Sequence, residues 1–277
     1  MKKIVTFLMI LLGLHQMHAQ KIDIKDFNEK AEIADWLLRY DLAAWYSTDA
    51  LVAKGEEEMS GIGREWFCFQ DTTNIWHAVY GKYEHGQYDQ VFHFKVKSKE
   101  EVIETDEQID TTFLNKYGKA LSRAFKEMKP ISDAAGIRFN HYIRENKDGN
   151  LEVFIFPGFQ PNGTAVYGGE FIYEISPDDE IIKDNSYYQG QFLGFKTDPP
   201  REIWLNYREK EKPTLGGVFF AWYYKDYFTK IYIDNKESVS TPFNDNGNYT
   251  WIHVEKDLKA EAKKRKQDAR EEKRKKI

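Results

Sequence analysis

The sequence predicts an α+β fold, a mainly antiparallel sheet covered by two amphipathic helices. Three observations point there. Residues 33–45 and 113–128 repeat apolar side chains every three or four positions. Most of the rest reads as short runs rich in aromatic and β-branched residues. Those runs are separated by turn signals such as Asp148-Gly149, Asn162-Gly163 and Ser176-Pro177-Asp178-Asp179.

The chain opens with a leader. Lys2 and Lys3 precede an apolar stretch from 4 to 14, then polar His15 and Gln16, with Ala19 before Gln20. That order is the one a secretory signal peptide uses, and predicts export to the periplasm or beyond, with residues 1–19 removed. Eleven helical residues rise about 16 Å, half of a ~30 Å hydrocarbon core, so no transmembrane segment is expected in the mature chain.

The first helix is expected to start at a cap at Asp26 and to carry Ile33, Ala34, Leu37, Leu38, Leu42 and Trp45 on its apolar face. Strands follow over 64–69, 75–84 and 88–97, the last two joined through His85-Gly86-Gln87 as a three-residue loop. Even positions of this hairpin (Trp76, Ala78, Tyr80, Phe92, Phe94, Val96) are its core face. Asp110 caps the second helix, Phe113, Leu114, Tyr117, Leu121, Ala124, Phe125 and Met128 line it, and Pro130 ends it. A meander then runs through 136–144, 151–156, 167–175, 180–183, 187–195, 202–207, 217–224, 228–234 and 249–254. Two architectures fit this order: two α+β halves meeting near residue 130, or one continuous sheet with both helices on one face.

Residues 20–254 form the expected exported domain, and 255–277 a charged tail with 11 Lys/Arg against 6 Asp/Glu. The whole chain carries −5 and the leader +2, which leaves −12 on residues 21–254. An acidic body repels phosphates, so a nucleic-acid partner is not expected. The single cysteine, Cys68, excludes a disulfide framework within one chain, and its aromatic neighbours place it in a buried strand.

Two constellations are candidates for chemistry or binding. If residue 79 faces 93 across the hairpin, His77 and His93 are diagonal neighbours about 7 Å apart, within reach of a shared metal, with Asp89 or Glu84 as third ligand. The alternative is two ordinary histidines of a half-exposed hairpin, and a one-residue change of register separates them. The second candidate is the aromatic surplus. Trp204, Trp222 and Tyr224, with Trp76 and Trp251, offer rings for a sugar or peptide groove, or else fill the core.

The sequence lacks HExxH, GxSxG, SxxK, P-loop and dinucleotide signatures, and the calcium-like turn at Asn244-Asp245-Asn246-Gly247 has Pro242 where the first acid is needed. No cofactor is therefore expected. The first functional reading is a non-enzymatic exported protein that binds a protein, peptide or glycan. The alternatives are a metal-dependent hydrolase using His77 and His93, and a structural or oligomeric envelope component.

The strand 151–157 ending in Pro157, the Asn162-Gly163 turn, and Tyr167-Gly168-Gly169-Glu170-Phe171-Ile172-Tyr173 resemble a hairpin seen in exported bacterial proteins of unassigned function, in which a Pro-ended strand precedes a Gly-Gly-x-x-x-Tyr strand. The resemblance covers about a tenth of the chain and implies an exported β-rich domain, with no reactive group in its motif.

Overall fold

A computed structural model describes residues 22–257. The predicted leader and the tail beyond Asp257 lie outside the described residues. The described residues are α+β, with three α-helices and three mostly antiparallel sheets. No helix among the described residues is long and apolar enough to cross a membrane.

Helix α1 spans Ile24–Val52. Its cap is Asp23, whose Oδ1 accepts the Asp26 amide at 3.1 Å, three residues earlier than the spacing predicts. The buried face runs through Phe27, Ala34, Leu37, Tyr40, Ala44 and Leu51. Trp45, expected on that face, is 51% exposed, because Ala43, Ala44 and Ser47 take the contact side.

Sheet 1 contains β1 (Phe67–Gln70), β2 (Trp76–Glu84), β3 (Gln87–Val96) and β4 (Val102–Glu104) in sequence order. The β2–β3 link is a two-residue turn rather than the three-residue loop expected: Glu84 faces Gln87, with His85 and Gly86 at φ 53° and 85°. A bulge between Tyr80 and Gly81 then restores the missing step, so Tyr80 faces Phe92 and Val79 faces His93, the register that the longer loop would have given. Gly81 is required at that bulge, since a Cβ there would lie 2.2 Å from the Asp89 carbonyl oxygen.

Helix α2, Thr111–Ala135, is capped by Asp110, whose Oδ1 accepts the Phe113 amide at 3.0 Å. Pro130 does not end it. The helix continues one turn further to Gly136, which closes it at φ 62°. Pro130 is solvent-exposed, so the carbonyl it leaves without a donor lies where water reaches.

Sheet 2 follows as β5 (Phe139–Glu145), β6 (Leu151–Pro157), β7 (Thr164–Ile175) and β8 (Ile181–Asp184), with β9 (Tyr187–Lys196) also paired to β7. Sheet 3 is β10 (Glu202–Tyr207), β11 (Lys230–Asn235), β12 (Ser238–Asp245) and β13 (Asn248–Glu255), with β10 and β11 parallel. Helix α3, Leu215–Tyr223, lies between β10 and β11 in the chain. This is the segment predicted as a strand over 217–224. A fully apolar run carries no period to separate helix from strand. The local signal is Thr214, whose Oγ1 accepts the Gly217 amide at 3.1 Å as a helix cap.

Sheets 1 and 2 meet where the His141 Nε2 donates to the Trp66 carbonyl at 2.6 Å. Alternation then builds two cores. Cys68, Ala78, Tyr80, Phe94, Tyr142, Phe154 and Phe156 pack with α1, α3 and the inner face of sheet 3. Phe67, Val79, Tyr88, Ile143, Val153, Ile155 and Phe171 pack with α2. The long helices therefore cover opposite faces of a central layer, not one face of a single sheet. Residue 130 falls inside α2.

Candidate functional site

His77 and His93 meet. The bulge at Gly81 sets their register, and His77 Nδ1 lies 2.7 Å from His93 Nε2. Both rings are buried, facing the α2 side of sheet 1, with His77 stacked on Phe69 at 4.7 Å. The outer nitrogens are engaged as well: His93 Nδ1 is 3.1 Å from the Glu107 carbonyl, and His77 Nε2 is 3.2 Å from Asp71 Oδ2.

Counting protons identifies what this arrangement holds. The Glu107 carbonyl only accepts, so His93 Nδ1 carries a proton. Asp71 has its pKa held well below the ordinary carboxylate range by the Thr73 hydroxyl first, then by His77 and the Ile75 and Thr73 amides. It also only accepts, so a hydrogen bond from His77 needs a proton on Nε2. The hydrogen bonds thus run as a chain from Asp71 through His77 and His93 to the Glu107 carbonyl. Burial holds the His93 pKa below its ordinary value, with the Glu107 carbonyl acting in the other direction.

Two nitrogens on one tetrahedral metal, each at about 2.0–2.1 Å, would stand roughly 3.3 Å apart. At 2.7 Å the pair is bonded to itself. Asp71 lies at the nitrogen of His77 directed away from His93. Asp89, the expected third ligand, is exposed beyond the bulge and opposite Lys82, and Glu84 is exposed at the hairpin end. Among the described residues no group of three or more His, Cys, Asp and Glu is placed to hold a metal ion. Asp71 and Glu107 were invisible in the sequence as partners, because a turn and a loop bring them in.

The predicted binding aromatics separate into three places. Trp204 is 47% exposed on the outer face of sheet 3, its ring stacked on Tyr232 at 4.2 Å. Tyr224 is buried and lines a small pocket with Tyr142, Tyr167 and Tyr223, with about 20 Å³ of space, enough for one water. Beside it, Asp41 accepts from Asn140 (2.9 Å), Tyr142 (2.9 Å) and Tyr223 (2.8 Å), and burial still pushes its carboxyl up.

Trp222 ends α3 half-buried, and its Nε1 donates to Asp35 at 3.3 Å. Its ring lies 6.0 Å from that of Trp251 on β13, the planes 27° apart. Together they floor a groove of about 430 Å³ whose other wall is the outer side of α1: Asn28, Glu32, Asp35 and Arg39. Trp76, by contrast, is core, against Trp36 and Tyr40.

Cys68 is buried in β1, and burial pushes its thiol well up, away from the reactive thiolate. Compared with family models, curated proteins and solved structures, the chain matches none.

Proposed function

We propose that this chain is a non-enzymatic exported protein that binds a protein, peptide or glycan partner. The observation that carries the reading is the groove between α1 and β13, which two half-buried indoles line beside four hydrogen-bonding side chains. Large rings with a polar rim are what binding surfaces concentrate. The ionisable clusters, by contrast, are occupied internally: the histidine pair by its own hydrogen bonds and Asp41 by three donors.

Retention of envelope fractions on immobilised protein tests it, with each fraction split into untreated, protease-digested and periodate-oxidised portions. Retention is expected, and Trp222→Ala is expected to weaken it about tenfold. No retention, or retention that ignores both Trp222→Ala and Trp204→Ala, overturns the reading.

The outer face of sheet 3 favours a second reading, an oligomeric envelope component. Trp204, Phe243, Ile252 and Val254 share that face at 39–58% exposure, an apolar area of the kind that self-association covers. Light scattering after size exclusion decides it: a mass of one chain over a wide concentration range excludes the multimer.

A further inference from the structure

We infer that the groove between α1 and β13 is a carbohydrate site that takes a neutral sugar chain; this rests on the binding reading above and names the class of partner.

A pyranose presents an apolar C–H face and a rim of hydroxyls, and a site for it needs flat apolar area beside fixed hydrogen-bond acceptors and donors. The groove has both. Its floor is Trp222 and Trp251, tilted 27° to each other. Trp251 is braced from behind by Phe27, edge-on at 4.9 Å, so its orientation is set by the core. The wall is one side of α1, where Asn28, Glu32, Asp35 and Arg39 recur at four-, three- and four-residue steps and so project together.

Those polar groups are oriented. Asp35 is held at two points, by Trp222 Nε1 at 3.3 Å and by Arg39 Nε at 3.1 Å. Each carboxylate oxygen keeps a lone pair for a hydroxyl donor. Asn28 supplies both an acceptor and donors. The Lys225 ammonium lies over the Trp222 ring, 4.7 Å from its centre and 5.2 Å from that of Tyr249, outside the groove's lining. A volume near 430 Å³ lies within the range of small-ligand sites.

Charge decides between sugar classes. Of the residues that line the groove, Glu32 and Asp35 are acidic and Arg39, paired with Asp35, is basic, while Lys225 lies outside the lining with Asp226 3.7 Å away. A uronate or sulfated chain would meet net negative charge, so the site suits neutral hydroxyl-rich chains. A peptide has a different natural place here, the outer edge of β13, the last strand of sheet 3, where main-chain groups pair without using the indoles.

The test is calorimetry and tryptophan fluorescence on the full mature chain. The probes are cello-, chito-, malto- and manno-oligosaccharides of two to six units, with oligogalacturonate as the acidic control. At least one neutral series is expected to bind and oligogalacturonate to bind at least tenfold more weakly. Trp222→Ala is expected to weaken binding about tenfold, and Trp222→Phe, which keeps a flat ring, much less. Glu32→Gln, which leaves the packing intact, is expected to weaken it severalfold; near-ultraviolet circular dichroism of each variant checks the fold. Absence of binding by every neutral series, or binding indifferent to Trp222→Ala and Glu32→Gln, overturns the carbohydrate site. In that event, retention of envelope material that protease abolishes and periodate spares leaves the broader binding reading standing, with a peptide as partner. Loss of both measurements ends both.

Discussion

Two buried groups make opposite demands on pH, and their near-cancellation can be exposed. The His141 ring lies between Trp66 at 4.2 Å and Phe125 at 5.0 Å. Burial brings its pKa down from 6.5 to about 4, the Trp66 carbonyl opposing and the Arg64 charge assisting. Glu170 on β7 lies at the amino end of α3, where it accepts the Gly216 amide. Burial raises its pKa from 4.5 to about 7 against the pull of that amide and the Thr214 hydroxyl.

The unfolded chain protonates His141 below about pH 6.5 while the fold resists. The stability this ring contributes is complete above 6.5 and lost as pH falls towards 4. Glu170 behaves in reverse, because its ionised form is disfavoured in the fold. Its cost is largest above pH 7 and is relieved as pH falls towards 4.5. Between pH 7 and pH 5, His141 removes about 2 kcal/mol and Glu170 returns about 2 kcal/mol. Burial lowers the pKa of His93 and of His253, which act in the direction of His141 in every variant.

Urea unfolding at both pH values of the natural chain, His141→Gln and Glu170→Gln measures this. The glutamine at 141 can still donate to Trp66, and the one at 170 can still accept from Gly216. Relative to the natural chain, His141→Gln should gain about 2 kcal/mol on moving from pH 7 to 5, and Glu170→Gln should lose about 2 kcal/mol. If both variants keep the pH trend of the natural chain, the buried states assigned to these groups are wrong.

Other expectations follow from the geometry. Asp71→Asn removes the carboxylate that His77 Nε2 faces at 3.2 Å, and unfolding measurements should show a loss of about 1–3 kcal/mol; unchanged stability refutes the assigned hydrogen bond. Gly81→Ala would place a methyl 2.2 Å from the Asp89 carbonyl, and unfolding measurements should show a loss of about 1–3 kcal/mol or more; a neutral result would mean that the bulge is not tight. Cys68 should react with a thiol reagent only at the rate of unfolding, and rapid labelling of native protein would contradict its burial.

The sequence by itself determined the fold class, most strand positions, the Asp110 cap, the even-numbered core face of the hairpin and the meeting of His77 with His93. Each of these follows from local period or turn chemistry. The hairpin is instructive: the turn is one residue shorter than predicted, yet the bulge at Gly81 adds the residue back, and the histidines keep their places. Tertiary structure alone decided the rest. It made 215–223 a helix, because a uniformly apolar segment takes whichever form its neighbours can bury. It put α1 and α2 on opposite faces, since alternation along a strand marks two faces without saying which helix covers which. It joined Trp222 to Asp35, 187 residues apart, and brought Asp71 and Glu107 to the histidines through loops. Local pattern records which side of a strand or helix is apolar; contacts between distant segments arise only when those sides are packed together.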